Sequence, residues 1–185
     1  MHESVIIAGF GGQGILFAGQ VLAYAALYDG REVVWMPSYG PEMRGGTANC
    51  TVVISSDRVR SPLVVTPLGA IAMNRPSFDR FEPAVRPGGV LIVNSSLIDA
   101  SSSRADIRVQ EVPANHIAEE LGSAKVANLV ALGGYVAATR AVSVESILRG
   151  IEKMVPEDRA ALRTLNVEAF RRGVEAVGAA AGRTS

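Results

Sequence analysis

The segment GFGGQG places Gly9, Gly11 and Gly14 at the G-x-G-x-x-G spacing, directly after a β-branched run and ahead of an apolar stretch. In that context glycines let the chain turn sharply and bring its N–H groups up to an anion at the positive end of a helix. Gly9, Gly11, Gly12, Gln13 and Gly14 are therefore candidate residues for holding a phosphate-bearing ligand. The same glycines also permit close strand–helix packing with nothing bound, and both readings stand at this point. Dinucleotide binding makes a further demand, an acid roughly 20 residues on at the end of the second strand. Here that strand ends in Trp35, Met36 and Pro37, while Asp29 and Glu32 precede it. Ordinary NAD binding is disfavoured, and an anion at the loop is retained.

Other chemistry is scarce. The one cysteine, Cys50, can neither form an intramolecular disulfide nor alone hold an iron–sulfur cluster or a structural zinc. It lies in the strand-like ANCTVVIS and reads as a small core residue, not a nucleophile. Of the two histidines, His2 is near a terminus and His116 stands at a helix start, where a surface or capping use outweighs catalysis. Trp35, with no basic patch beside it, reads as core or interface. No catalytic residue and no metal site is assigned. Asn94 and Ser95, with Ser96, follow an apolar strand, and loops at the carboxyl ends of parallel strands bind ligands in α/β folds. Asn94 and Ser95 either line the glycine-loop crevice or cap a turn.

The elements that must position these residues follow from periodicity. Ser4 to Gly9 reads as a strand, the QGILFAGQVLAYAALY segment as a helix closed by Gly30, Glu32 to Pro37 as a second strand and Ala48 to Ser55 as a third. Two short apolar runs, SPLVVTP and GAIAMN, precede a helical turn or two in RPSFDRFEP. RPGGVLIVN then feeds a buried strand ending at Asn94, a Ser-rich loop follows, and IRVQEVP is a last strand. From Ala114 onward four helices are expected; Ser143 is an N-cap, and Pro156 opens a first turn carrying Glu157 and Asp158. Alternating apolar strands and helices predict an α/β, Rossmann-like doubly wound fold. Its sheet is mostly parallel, with helices on both faces and a helical C-terminal part.

The chain has 185 residues and is 48% hydrophobic, enough for a sizeable core, and residues 1–185 are expected to form one domain. Eighteen basic and eighteen acidic residues cancel, so no field favours nucleic acid or an anionic membrane. MHESVIIAGFGG lacks a positive n-region and its apolar run stops at glycines, so neither a signal segment nor a membrane span is expected. A reducing, cytoplasmic location is the expectation.

GFGGQGILFAGQVLA, WMPSYGPEMRGGTANCTVVIS, the Ser61–Pro62 pair, PGGVLIVNSSLI and VANLVALGG occur in one order from about Ile6 to about Gly134. Together they resemble the gamma subunit of 2-oxoacid:ferredoxin oxidoreductases, nearest the 2-oxoglutarate synthase branch. PSYGPEMRGGTANC is far more specific than any glycine triplet. The resemblance implies a complex that converts a 2-oxoacid and coenzyme A to acyl-CoA, carbon dioxide and reduced ferredoxin. It also implies that thiamine diphosphate, magnesium and iron–sulfur clusters sit in partner chains, with no cofactor held stably here. The partners implied are thiamine-binding alpha and beta subunits and a ferredoxin-like delta subunit.

By the same resemblance, the glycine loop is a candidate site for part of coenzyme A. Tyr39, Pro41, Glu42, Met43, Arg44 and Gly45 face the partner subunits at the active-site entrance, where large apolar, charged and glycine residues serve as interface ingredients. Alternatively, Tyr39 to Gly46 folds back over its own sheet edge. Asn128 matches the family pattern in a helix facing the partners, and is equally suited to a core hydrogen bond. Pyruvate, branched-chain and indolepyruvate complexes remain rival settings. A free-standing nucleotide-binding module and a scaffold whose loop binds nothing are rivals of other kinds. An isolated chain is expected to expose an apolar patch and is a candidate homodimer.

Overall fold

Strand β1 (His2–Phe10) carries Val5 and Ile7 to one side of a sheet and Ile6 and Ala8 to the other, all buried, as befits a strand covered on both faces. The structure, a computed structural model, describes residues 2–38, 47–59 and 63–181. Helix α1 (Ile15–Tyr28) follows the glycine loop, then β2 (Glu32–Ser38), β3 (Thr47–Ser55) and β4 (Gly69–Ala72). Helix α2 (Arg75–Phe81), β5 (Val90–Asn94) and β6 (Arg108–Val112) complete the sheet. The C-terminal helices are α3 (Ala114–Glu120), α4 (Ala127–Thr139), α5 (Val144–Met154) and α6 (Ala160–Ala181). The expected first turn at Pro156 is a short 3-10 turn, Glu157–Arg159, leading into α6.

The six strands lie in the order β2-β3-β1-β4-β5-β6. Pairings β1–β4, β4–β5 and β5–β6 are parallel, as expected; β3 is antiparallel to both of its neighbours, β1 and β2. The chain thus passes from α1 to the outer edge as β2, then turns back as β3 into the slot beside β1. Five strands share one direction and β3 alone runs against them, so the sheet is doubly wound and mostly parallel, with one inverted strand.

Helices cover both faces unequally. Val5, Ile7, Cys50, Val52, Ile54, Ile71 and Ile92 form one core with α1, α3, α4, α5 and α6. On the opposite face Ile6, Ala8, Ala70, Ala72, Leu91 and Val93 pack with Phe78 and Phe81 of α2 and with Ile98 and Ile107 of the long connection. Among the described residues no helix is long and apolar enough to cross a membrane.

Two contacts fix the C-terminal helices. Gly133 of α4 and Gly173 of α6 meet backbone to backbone: a Cβ on Gly173 would fall on the Val130 carbonyl, and one on Gly133 on the Phe170 carbonyl. At the other end of α1, the Asp29 carboxylate accepts from Ser143 N–H at 2.7 Å, Ser143 Oγ at 2.8 Å and Ser146 Oγ at 2.6 Å. Ser143 meanwhile caps α5 as expected, its Oγ accepting from Ser146 N–H at 3.1 Å. Asp29, which the sequence offers only as a misplaced acid for a ribose, is the staple between α1 and α5. Desolvation works to raise its pKa, but the hydrogen bonds from Ser146 and Ser143 outweigh it and hold the carboxyl below its ordinary value of 3.8.

Gly173→Ala should overpack this helix pair and cost roughly 1–3 kcal/mol. In thermal unfolding that is a fall of about 2–4 °C for each kcal/mol, and an unchanged midpoint would mean that the two helices can part without loss. Because the folded pKa of Asp29 lies below its unfolded value, its stabilisation is complete above about pH 4 and is lost as pH falls through the folded value. Asp29→Asn should therefore be less stable at neutral pH and lack this acid-side decline in denaturant titrations; parallel pH profiles for the two chains would contradict the staple.

Candidate functional site

The loop Gly11–Gly14 lies where β1 gives way to α1, at the carboxyl end of the parallel strands. Two bonds close the turn on the β1 side: Gln13 N–H donates to Phe10 O at 3.2 Å, and Phe10 N–H donates to Gln13 Oε1 at 2.6 Å. Gln13 is thus a turn-closing residue. Gly12 (φ 91) and Gly14 (φ 72) adopt the left-handed conformation that favours glycine. A Cβ on Gly9 would press on Gln13, Ile15 and Met73, so this first glycine serves close packing.

Gly14 is the N-cap of α1, no side chain caps that end, and the first helical turn carries no acid. The first rung is Ala18 N–H to Gly14 O, at 3.1 Å. The N–H groups of Ile15, Leu16 and Phe17 precede that rung and have no intrahelical acceptor. Beside them is a groove of about 280 Å3 lined by Phe10, Gly11, Gly12, Gly14, Ile15, Leu16, Phe17 and Ala48. Among the described residues its walls are mostly apolar and carry no cation, so those residues would hold a ligand by main-chain donors and by contact with Phe10 and Phe17. A larger open groove of about 700 Å3 lies at the far end of α1, but its acid, Asp29, is spent on the serines.

Asn94 and the loop share one end of the sheet, bridged by Met73, whose N–H donates to Ala8 O at 2.8 Å. Asn94 is fully buried. Its Nδ2 donates to Met73 O at 3.2 Å and Asn115 Oδ1 at 2.8 Å, and its Oδ1 accepts from Ala114 N–H at 3.1 Å. The Asn94 carboxamide thus links the ends of β4 and β5 to the start of α3, and it is the Asn94 carbonyl that accepts from Leu97 and Ile98 N–H in the turn that follows. Ser95 N–H donates to Val112 O at 3.0 Å, and Ser96 Oγ accepts from His116 N–H at 3.0 Å, so this segment ties β5 to β6 and α3.

Asn128 is 5% exposed, with Nδ2 donating to Gly14 O at 2.9 Å and Oδ1 accepting from Leu129 N–H at 2.9 Å. The core hydrogen-bonding alternative is therefore the one found, and its partner is the glycine loop itself. Asn74, just past β4, is 2% exposed; its Oδ1 accepts from Ser77 N–H at 2.9 Å, but its Nδ2 has no partner. Sequence reading passed over it, and an asparagine directly after a strand and two residues before Pro76 was the available signal.

Tyr39, Pro41, Glu42, Met43, Arg44 and Gly45 lie outside the described residues, as do Ser61 and Pro62. Among the described residues, Ser38 at the end of β2 pairs with Asn49, and Thr47 at the start of β3 pairs with Phe10. Cys50 is fully buried, 3.6 Å from Ile15 O, and burial pushes its thiol up to about 12 against the opposing pull of the Trp35 indole. His116 is exposed and lies 3.3 Å from Glu120, which also pairs with Arg172 at 2.6 Å. Among the described residues no group of three or more His, Cys, Asp and Glu side chains could hold a metal ion. A single buried thiol does not fit an iron–sulfur cluster.

The model of the pyruvate ferredoxin/flavodoxin oxidoreductase family matches residues 4–176. The ketoisovalerate oxidoreductase subunit VorA of Methanothermobacter thermautotrophicus is 50% identical over 129 residues, 70% of this chain but 27% of that protein. The chain thus spans about a quarter of that relative's length. The 2-oxoglutarate synthase subunit KorC of Methanocaldococcus jannaschii is 36% identical over 178 residues, 95% of this chain and 94% of the relative. The crystal structure of a keto/oxoacid ferredoxin oxidoreductase gamma subunit from Geobacter sulfurreducens superposes with a TM-score of 0.86. It is 33% identical, and the match covers 97% of this chain and 98% of that one.

The Cys50 environment gives a direct check. A thiol reagent should leave the folded chain unlabelled at neutral pH and react fully once denaturant is added; rapid labelling of the native protein would show that the site opens.

Proposed function

Since the chain belongs to the pyruvate ferredoxin/flavodoxin oxidoreductase family, we propose that it is the non-catalytic gamma component of a 2-oxoacid:ferredoxin oxidoreductase and positions coenzyme A for acyl transfer. The observation that carries the reading is the full-length match to gamma-type relatives combined with an uncapped helix end beside an apolar groove. In this reading the Ile15, Leu16 and Phe17 N–H groups donate to polar oxygens of the ligand. Phe10 and Phe17 pack on its uncharged arm, and the entropy of aligning the acceptor thiol is met before chemistry begins. Gly11, Gly12 and Gly14 line this site, Gly9 and Gln13 shape its turn, and Asn94 and Ser95 support the sheet end behind it.

Thiamine diphosphate, magnesium and iron–sulfur clusters belong, on this proposal, to thiamine-binding alpha and beta chains and a ferredoxin-like delta chain. They supply decarboxylation and electron transfer. Phe10, 43% exposed beside the groove, is a surface such a partner would cover. Tyr39, Pro41, Glu42, Met43, Arg44 and Gly45 are assigned to the same contact on their sequence.

For the 2-oxoacid the proposal is 2-oxoglutarate, supported by end-to-end similarity to a protein named for that substrate. The second reading is a branched-chain 2-oxoacid, favoured by the 50% identity to the ketoisovalerate relative over its shorter match. The free-standing NAD module loses support from the strand order: β3 separates β2 from β1, and no acid stands at the end of β2.

Assay of the assembled complex with a panel of 2-oxoacids and a viologen acceptor should give highest kcat/KM with 2-oxoglutarate; preference for 2-oxoisovalerate would move the chain to the branched-chain setting. Gly12→Ala, which forces a side chain into the left-handed region, should raise the KM for coenzyme A roughly tenfold. The KM for the 2-oxoacid should stay unmoved; an unchanged coenzyme A dependence would contradict the site.

A further inference from the structure

We infer that Asn128 is the positioning residue of the glycine loop, setting the loop's shape through the Gly14 carbonyl without touching the ligand. The inference deepens the coenzyme A reading and rests on it for the ligand's identity.

The loop has two anchors. The reciprocal pair between Gln13 and Phe10 holds its β1 side, at 3.2 and 2.6 Å. On its α1 side the Gly14 carbonyl takes two donors, Ala18 N–H at 3.1 Å and Asn128 Nδ2 at 2.9 Å. Between these anchors Gly11 and Gly12 stand exposed. Whatever fixes Gly14 therefore fixes where the loop meets the first turn of the helix.

Asn128 suits that task for reasons visible in its own bonds. Its Oδ1 accepts from Leu129 N–H at 2.9 Å, one of the otherwise unpaired donors in the first turn of α4. The carboxamide cannot flip without losing that bond and turning an oxygen toward the Gly14 oxygen, so its donor end is committed to the loop. The residue is 5% exposed, and the helix behind it is buried from Ala127 to Val136 and locked to α6 at Gly133 and Gly173. A Cβ on Gly14 would land on Asn128 Nδ2. Gly14 is thus required twice, by its φ of 72° and by the carboxamide beside it. A residue 114 positions away in sequence makes the contact, so the loop's geometry is tied to the placement of α4.

Asn128→Asp tests this, because it keeps the size and replaces the donor by an acceptor facing a carbonyl. In the full chain labelled with nitrogen-15, the backbone amide signals of Gly11, Gly12, Gly14 and Ile15 should shift or broaden. Those of Gly173 and of β5 should stay in place. In the assembled complex the KM for coenzyme A should rise about tenfold, the loss expected for one hydrogen bond's positioning, with the KM for the 2-oxoacid unmoved. Asn128→Ser, a second variant for use if the aspartate chain does not fold, should give the same pattern. Unchanged loop signals and an unchanged KM for coenzyme A in a folded variant would overturn the inference. If Gly12→Ala raises that KM and neither Asn128 variant does, the positioning role falls and the coenzyme A reading stands. If the loop signals shift in the Asn128 variants while no loop variant moves that KM, the positioning role stands and the coenzyme A reading falls.

Discussion

The turn from Phe10 to Ile15 is the constraint on which the rest of the molecule depends. Within four residues the chain must leave a strand buried on both faces and enter a helix packed against that same sheet. Only glycine fits at Gly14, where the backbone is left-handed and the Asn128 carboxamide occupies the space of a side chain. A helix entered through glycine has no capping side chain, and this one has no acid in its first turn. Its first N–H groups therefore stand ready for an external acceptor, beside a groove whose described walls are mostly apolar. One local necessity of folding produces the functional opportunity.

Around that turn the fold divides its labour. Five helices bury one face of the sheet and form a stiff block, joined by the glycine contact between α4 and α6 and by the Asp29 carboxylate between α1 and α5. The opposite face carries α2 and the long connection that follows β5. The block gives Asn128 a fixed base, and through it the loop; the strand ends give the groove its rim at Phe10 and Ala48. Among the described residues the one thiol, Cys50, is sealed in the core, and the His116 imidazole is on the surface beside Glu120. A subunit of this kind contributes geometry, and the reacting groups come from elsewhere in the assembly we propose.

Much of this was legible in the sequence, and what was not has a common physical cause. The strand runs at Ser4 to Gly9 and Glu32 to Pro37, the helix after Gln13 and the Ser143 cap announce themselves through neighbours a few residues away. The inversion of β3 does not, because strand direction depends on how the chain returns after Ser38 and not on the apolar pattern of ANCTVVIS. Asp29 looked idle because its partners, Ser143 and Ser146, lie more than a hundred residues on. Asn128 was open between surface and core for the same reason, its partner being Gly14. Asn94 lay open between ligand and turn until its contacts with Met73, Ala114 and Asn115 were seen together. Single-residue roles that depend on long-range contacts are invisible to spacing, whereas elements and their caps are not.

The function we propose brings coenzyme A to the amino end of α1. Hydrogen–deuterium exchange of the assembled complex, with and without coenzyme A, tests it most directly. Slower exchange is expected for the amides of residues 11–17 on adding coenzyme A, with α5 and α6 unchanged. Unaltered exchange across residues 11–17 at a saturating concentration, with protection confined to other segments or other chains, would contradict it.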